Sequence, residues 1–329
     1  MIGFFPDPYP DELIYSFCAR FHERVQYPCS RLTIQELFGV PRTIVNVALP
    51  NSLGKLISSL PSGHQYTVDR LIDEHSLLSF CSPFLEPDYI ITLRKYMLED
   101  SRRDLRKLSL FAAQGLPLAE WFQYCPLCAE DDRKFFGECY WHRLHQLLGV
   151  RVCPVHKVFL ENSKARSSSK ILPYKLACAE QAVEIKSLHP LDLSNPCHEA
   201  LLRIANDATW LLHQPSLVLG IEPIRNYYLY LLENCWLSSD VGKVHVNELL
   251  KAFINYYPPG FLKLIACELD AKKRHGWRCH YNWLLRLVRP SSQKAHPPIH
   301  HLLLIHFLGF TVDEFFKLLE PVRPFEDRL

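Results

Sequence analysis

The sequence lacks several features that would assign it to a common functional class. Its 329 residues contain no run of about 18 apolar residues, which excludes a membrane-spanning helix. The first seven residues have neither a cationic start nor an apolar core, so we expect no secretory signal peptide. Glycine is scarce, at 12 residues, and no glycine-rich phosphate loop dominates. The net charge of +2 is not the overall basic excess that marks many nucleic-acid-binding proteins.

Catalytic signatures are missing as well. The sequence contains no clustered acidic metal ligands, no nucleophile elbow and no phosphate loop. Cys139 and His142 could form a Cys/His pair, but a separation of three residues is weak support for a nucleophile. We therefore expect a protein that is not an enzyme.

Cysteine is the informative residue type. Twelve cysteines in 329 residues are far fewer than a disulfide-stapled scaffold would contain. Eight of them are scattered, mostly among apolar neighbours, and most of these are expected to be small buried hydrophobic residues. The eight are Cys18, Cys29, Cys81, Cys178, Cys197, Cys235, Cys267 and Cys279.

Two short segments repeat one spacing of metal-ligand residues. Segments 125–128 and 153–156 both read Cys-Pro-x followed by Cys or His, and 24 residues separate them. A two-residue gap lets both side chains of a segment reach one ion, and three thiolates with one imidazole make a closed tetrahedral set for zinc. We predict one structural Zn²⁺; the alternative is a redox Cys-x-x-Cys motif. The predicted ligands are Cys125, Cys128, Cys153 and His156, whereas the intervening Cys139, His142 and His145 are not expected to bind metal.

Apolar spacing predicts a mainly α fold in four parts. We expect a helical N-terminal domain (1–120), a small zinc-ribbon-like CCCH module (121–162), an irregular linker (163–193) and a C-terminal helical domain of helix-turn-helix type (194–329). The polar, low-complexity residues 163–170 predict a loop.

Local signals predict individual elements. An apolar stripe from Leu13 to Phe21 predicts a helix with Arg20 off its apolar face. A capping box at Thr33 predicts the start of a helix that Gly39 ends. Later helices are expected at about 196–213, 224–236, 247–256 and 261–270, and short strands or turns at 135–137 and 150–152.

One late segment differs from the rest in charge. Residues 271–294 contain seven basic residues, no acidic residue and three interleaved aromatic rings. Such a composition suits a phosphate backbone, and the alternatives are a solvated face or an acidic protein partner. The predicted DNA-binding residues are Lys272, Lys273, Arg274, Arg278, Arg286, Arg289 and Lys294.

The chain ends with a candidate helix-turn-helix. Residues 301–308 and 311–319 predict two helices joined at Gly309. A recognition helix presents its N-terminal residues to base edges, and Asp313 and Glu314 would repel phosphate there. We therefore expect this element to support a DNA-contacting segment nearby. Six histidines in the same region lack paired metal-ligand spacing, so we expect no second metal site.

Several segments resemble the TnsD/TniQ family of transposon target-selection proteins, and the TnsD branch is favoured. The resemblance is carried by residues 124–128, 137–150 and 153–156, by 6–16 and 66–77, and by 283–304. It implies that Cys125, Cys128, Cys153 and His156 bind zinc. It also implies that the N-terminal helices face an ATPase, while the zinc module and the later helices face DNA.

The resemblance further implies a set of partners. Family members bind double-stranded target DNA and recruit the AAA+ ATPase regulator TnsC, which brings the transposase. In the TnsD branch the protein itself reads an attachment site. In some TniQ branches a CRISPR guide-RNA effector reads the target, and the TniQ protein bridges that effector to the ATPase. We expect a bacterial cytoplasmic protein that associates with the nucleoid when it binds DNA.

Overall fold

The fold was obtained as a computed structural model and is mainly helical, as predicted. The structure describes residues 2–39, 45–99, 118–167, 175–184, 187–235, 246–269, 283–288 and 296–319. Among these residues, no helix is both long and apolar enough to cross a membrane.

In the N-terminal part, the described residues form six helices and one 3₁₀ turn. The first helix buries the predicted apolar stripe and ends at Gln26, which adopts a left-handed conformation with φ 52°. The elements are α1 (Ile14–Val25), α2 (Ser30–Phe38), α3 (Leu53–Ser59), α4 (Val68–His75), α5 (Leu78–Cys81), the 3₁₀ turn Ser82–Phe84 and α6 (Pro87–Leu98).

Helix α2 begins earlier than its capping box predicted. It starts at Ser30, so the predicted start at Thr33 is wrong. Thr33 is buried inside the helix, and its hydroxyl hydrogen-bonds with His22 Nδ1 of α1 at 2.6 Å instead of capping the backbone. The predicted end is confirmed, because Gly39 takes the left-handed C-cap conformation with φ 69°.

The central part combines one helix with two small antiparallel sheets. Strand β1 pairs with β4, with Tyr124 opposite Glu161, and β2 pairs with β3, with Cys153 opposite Val158. The elements are β1 (Trp121–Tyr124), α7 (Pro126–Phe136), the 3₁₀ turn Leu144–Gln146, β2 (Val152–Cys153), β3 (Val158–Phe159) and β4 (Glu161–Arg166).

Two sequence predictions fail in this central part. Residues 135 and 136 are the end of α7 rather than a short strand or turn, because that helix continues until Gly137 caps it with φ 83°. The loop predicted from residue 163 begins later, because residues 163–166 belong to β4. Backbone pairing of Trp121 with Arg166 extends the strand through a stretch whose polar composition indicated a loop.

The C-terminal part is helical. Its helices are α8 (Ala179–Ala182), α9 (Pro196–Leu212), α10 (Ile221–Cys235), α11 (Val246–Tyr256), α12 (Phe261–Leu264), α13 (Trp283–Val288), α14 (Pro298–Phe307) and α15 (Val312–Leu319). Helix α12 is shorter than the predicted 261–270, because Ala266 is left-handed, with φ 58°, and breaks the helix.

Helices α14 and α15 form the predicted helix–glycine–helix element. Gly309 lies between them with φ 91°. The Thr311 backbone N–H donates to Glu314 Oε2 at 2.8 Å, and the Glu314 N–H donates to Thr311 Oγ1 at 3.3 Å, which is a capping box. Arg203 of α9 donates to the Phe310 carbonyl oxygen at 2.7 Å and so holds the turn against that long helix.

The three parts share one apolar core. A continuous cluster of buried apolar side chains extends from Ile2 to Leu319. Gly149 of the central part packs directly against Ile299 of α14, and Glu86 accepts a hydrogen bond of 3.1 Å from the Ile221 N–H that begins α10. The domain boundaries expected from the sequence stay predictions. Buried side chains pack across them, so the three parts are in direct contact.

Candidate metal centre

Two tight turns place the predicted metal ligands. Cys125 is the N-cap of α7, and its sulfur accepts a hydrogen bond from the Cys128 N–H at 3.4 Å. Cys153 ends β2, and its sulfur accepts from the His156 N–H, also at 3.4 Å. Lys157 then adopts φ 54° and turns the chain into β3. In both segments the sulfur of the first cysteine therefore accepts a hydrogen bond from the backbone N–H three residues later.

The four predicted ligands converge. Their donor atoms all lie within 4.8 Å of one another. His156 Nδ1 is 3.6 Å from Cys125 Sγ, 3.3 Å from Cys128 Sγ and 3.6 Å from Cys153 Sγ. Cys128 Sγ is 3.7 Å from Cys153 Sγ. This group could hold a metal ion.

Four of the six distances between the donor atoms are close to those of a small tetrahedral ion. With Zn–S bonds of about 2.3 Å and Zn–N bonds of about 2.0–2.1 Å, a regular tetrahedron has edges of about 3.8 Å between sulfurs and about 3.5–3.6 Å between sulfur and nitrogen. Hydrogen bonds to Cys125 and Cys153, together with burial, raise the pKa of the Cys128 thiol. A divalent cation would reverse that effect by stabilising all three thiolates.

Helix α7 contributes more than a ligand. Asp131 Oδ2 lies 3.0 Å from His156 Nε2, and Asp132 Oδ2 lies 2.9 Å from His142 Nε2. These acids follow Cys128 by three and four residues, so all three side chains share one face of the helix. The sequence analysis did not identify either acid as a partner of a histidine, although their separation from Cys128 by three and four residues can be read from the sequence.

The intervening residues stay outside the metal-ligand group, as expected. Cys139 is buried, and its sulfur accepts a hydrogen bond from Arg133 at 3.6 Å. His145 is also buried, with Nε2 4.0 Å from Cys128 Sγ, and burial lowers the pKa of its imidazole. The His142 ring lies between the rings of His145 and Tyr140.

A buried ion-pair network attaches this module to α1. The Arg20 side chain is only 2% exposed. Its Nη1 donates to Glu12 Oε2 at 2.8 Å, and its Nε donates to Glu138 Oε1 at 2.9 Å. Tyr9 donates its hydroxyl to the same Glu138 oxygen at 3.1 Å, and its ring stacks under the Arg20 guanidinium. Burial raises the pKa of Glu12 to about 7, although the nearby Arg20 cation acts in the opposite direction.

The same interface joins motif segments that are far apart in the sequence. Arg143 donates to Asp11 Oδ1 at 2.8 Å and to the Asp73 carbonyl oxygen at 2.9 Å. His75 Nδ1 lies 2.8 Å from the Glu12 carbonyl oxygen. Segments 6–16, 66–77 and 137–150 therefore meet at one interface beside the metal-ligand group.

The described part of the chain contains only one of the predicted DNA-binding residues. Arg286 is half-buried on α13, whose Trp283 stacks on the His300 ring with centroids 4.1 Å apart. The other six lie outside the described residues: Lys272, Lys273, Arg274, Arg278, Arg289 and Lys294.

Three of the four late histidines that the structure describes are buried. His296, His301 and His306 are buried, and His275 and His280 lie outside the described residues. His306 pairs with the Asp207 carboxylate of α9. Within the ranges that the structure describes, the Cys₃His group is the one cluster of Cys, His and acidic side chains with metal-site spacing.

Comparison with known proteins agrees with the two halves of this fold. The family model TniQ matches residues 3–160, and the model described as Tn7-like transposition protein D matches residues 204–328. The chain is 30% identical over 155 residues to the Transposon Tn7 transposition protein TnsD of Escherichia coli. That alignment covers 46% of this chain and 30% of the relative, so the chain spans less than a third of the relative's length. The two matches leave residues 161–203 and the first and last residues unassigned, and the chain belongs to the TnsD/TniQ family.

Proposed function

We propose that this protein is a non-catalytic target-selection adaptor of a multi-component transposon. The observation that carries the proposal is the succession of a TniQ match over residues 3–160 and a TnsD match over residues 204–328. In this role the protein binds double-stranded attachment-site DNA and recruits the AAA+ regulator TnsC, which brings the transposase. The N-terminal helices face the ATPase.

The DNA contact is assigned to the basic segment 271–294. Its seven basic residues, without any acidic residue, would neutralise phosphates, and its aromatic rings could pack on sugars or bases. The exposed start of α15 carries Glu314 next to Asp313, which disfavours α15 as a recognition helix. Helix α15 then supports the DNA-binding part through its buried residues Phe315 and Phe316.

The DNA contact is tested by reversing charge. We expect the combined change Lys272→Glu, Lys273→Glu and Arg274→Glu to lower affinity for attachment-site DNA at least tenfold. The slope of log affinity against log salt is expected to fall by about 0.9 for each phosphate that the variant no longer neutralises. Mobility shifts at several salt concentrations measure both quantities.

The matched control makes the same change of charge elsewhere. Lys95, Lys175 and Lys251 are exposed and lie outside the basic segment, and we expect their replacement by Glu to change affinity and slope much less. Equal losses in the two triple variants would mean that only overall charge matters, and the assignment to 271–294 would be withdrawn.

The second candidate is a TniQ-type adaptor that bridges a CRISPR guide-RNA effector to the AAA+ regulator without reading DNA. The match of the TniQ model to residues 3–160 favours it. The same mobility shift separates the two roles, because a bridging adaptor binds specific and unrelated DNA equally weakly. A sequence-specific shift supports the TnsD-type role.

We also propose that the Cys₃His group holds one structural Zn²⁺. Four of the six distances between the donor atoms are 3.3–3.7 Å and all six are within 4.8 Å, which supports this choice, since soft thiolates favour zinc over magnesium or calcium. Four protein ligands fill a tetrahedral ion and leave no position for substrate. Bound zinc would join α7 to the β2–β3 turn and stabilise the interface with α1.

A further inference from the structure

We infer that Asp131 is a positioning residue that orients His156 toward the metal. This inference rests on the proposed zinc site. His156 presents Nδ1 to the three sulfurs at 3.3–3.6 Å, while Nε2 lies 3.0 Å from Asp131 Oδ2. The imidazole is therefore held from both sides, by the donor group and by one carboxylate.

The hydrogen bond selects a tautomer. A neutral imidazole carries one proton, and the nitrogen that binds metal must offer a free lone pair. A carboxylate accepts hydrogen bonds and cannot donate them, so Asp131 favours the tautomer with the proton on Nε2. Nδ1 is then free to bind the ion. The same bond fixes the rotation of the ring.

Helix geometry explains why Asp131 can do this. Asp131 follows Cys128 by three residues on α7, so both project from the same face. Helix α7 thus supplies one ligand and also holds a second ligand that belongs to the β2–β3 turn. The neighbouring Asp132 is engaged differently, with His142, which is not a member of the metal-ligand group.

The test compares zinc affinity among variants of the whole chain. We expect Asp131→Ala to weaken Zn²⁺ binding roughly 10- to 100-fold, as loss of a carboxylate partner of a ligating histidine commonly does. Asp131→Asn retains an acceptor oxygen of similar size, so we expect a smaller loss. Competition with a chromophoric chelator measures the affinities, and the visible spectrum of the Co²⁺-substituted protein reports ligand geometry.

Glu130→Ala is the matched control. Glu130 is the preceding residue, is exposed, and its replacement removes the same charge. We expect this variant to bind zinc like the unmodified chain. The inference is supported if affinity falls in the order unmodified chain, Asp131→Asn, Asp131→Ala.

Two failures are distinguishable. Zinc affinity and Co²⁺ spectra for Asp131→Ala equal to those of Glu130→Ala would overturn the inference and leave the zinc site intact. An unmodified chain that binds no zinc would overturn the proposed site itself. If Asp131→Ala does not fold, the nearly isosteric Asp131→Asn decides, since unchanged affinity and an unchanged Co²⁺ spectrum in that variant count against a positioning role.

Discussion

Arg20 lies on the first helix at a position that apolar periodicity assigned to a polar face, yet its side chain is almost fully buried. Its charge is compensated by Glu12 and Glu138, which are 8 residues before it and 118 residues after it. Periodicity along one helix cannot reveal such a partner. Removing one member of a buried ion pair commonly costs about 3–5 kcal/mol, because the remaining charge is then buried without compensation.

Gly149 is a second residue whose importance depends on a distant neighbour. Its φ is 93°, and a Cβ at this position would lie 2.7 Å from Ile299 Cδ1 of α14. We expect Gly149→Ala to lower the free energy of unfolding by about 2–4 kcal/mol, because left-handed strain adds to overpacking. Chemical denaturation measures the change.

Gly63 provides the matched control for this prediction. Its φ is 90°, and nothing lies within 4 Å of where a Cβ would be. Gly63→Ala carries the backbone strain alone, so its loss is expected to be smaller. Equal losses of unfolding free energy in Gly149→Ala and Gly63→Ala would mean that the Ile299 side chain moves aside without destabilising the fold.

At the scale of elements, local signals located most helices correctly. The sequence predicted the helix ends at Gly39 and Gly309, and both glycines are left-handed in the structure. The errors arose where tertiary contacts overrode local preference. Thr33 bonds to a neighbouring helix rather than to its own backbone, and β4 extends through polar residues because β1 pairs with it.

The central module that contains the Cys₃His group is the part of the chain that we expect to depend most on the proposed zinc ion. We expect Cys125→Ser to abolish binding of the single zinc ion and to lower the midpoint of thermal unfolding, because metal binding supplies folding free energy to a module with small sheets. Elemental analysis and thermal unfolding, each with and without a chelator, measure the two effects.

Cys29→Ser serves as the control for the metal prediction. Cys29 is exposed, lies outside the metal-ligand group and undergoes the same chemical change. This variant is expected to retain one zinc ion. A Cys125→Ser protein with full zinc content would contradict the assignment of Cys125 as a ligand.

At the scale of the whole molecule, the buried histidines predict sensitivity to acid. Burial lowers the pKa of His296 to about 4, that of His300 to about 3, and that of His301 far below its ordinary value. The unfolded chain binds these protons below about pH 6.5 and the folded chain does not, so stability falls as pH falls from about 6.5 to about 4. At pH 5 each of these histidines lowers the free energy of unfolding by about 2 kcal/mol relative to neutral pH.

A variant separates this effect from release of the proposed zinc ion, which would also lower stability in acid. His300→Gln removes one titrating group, so its unfolding free energy is expected to fall less steeply between pH 7 and pH 5 than that of the unmodified chain. Glu12 acts in the opposite direction. Its pKa is raised in the folded chain, so the folded chain binds this proton at a higher pH than the unfolded chain does, which stabilises the fold as pH falls. Identical slopes in the two proteins would show that His300 does not contribute.

The sequence by itself determined the mainly helical class, the family and the four residues of the metal-ligand group. These follow from short-range patterns, since a two-residue gap or a helical turn constrains geometry within a few residues. The role of the basic segment 271–294 in DNA binding stays a prediction.

Only the tertiary structure decided the burial of Arg20, the partnership of Asp131 with His156, and the meeting of segments 6–16, 66–77 and 137–150. The physical reason is distance along the chain. Asp131 and His156 are 25 residues apart, and Arg143 and Asp11 are 132 apart. Contacts of that kind depend on how whole elements pack around one core, and no local pattern of residues encodes that packing.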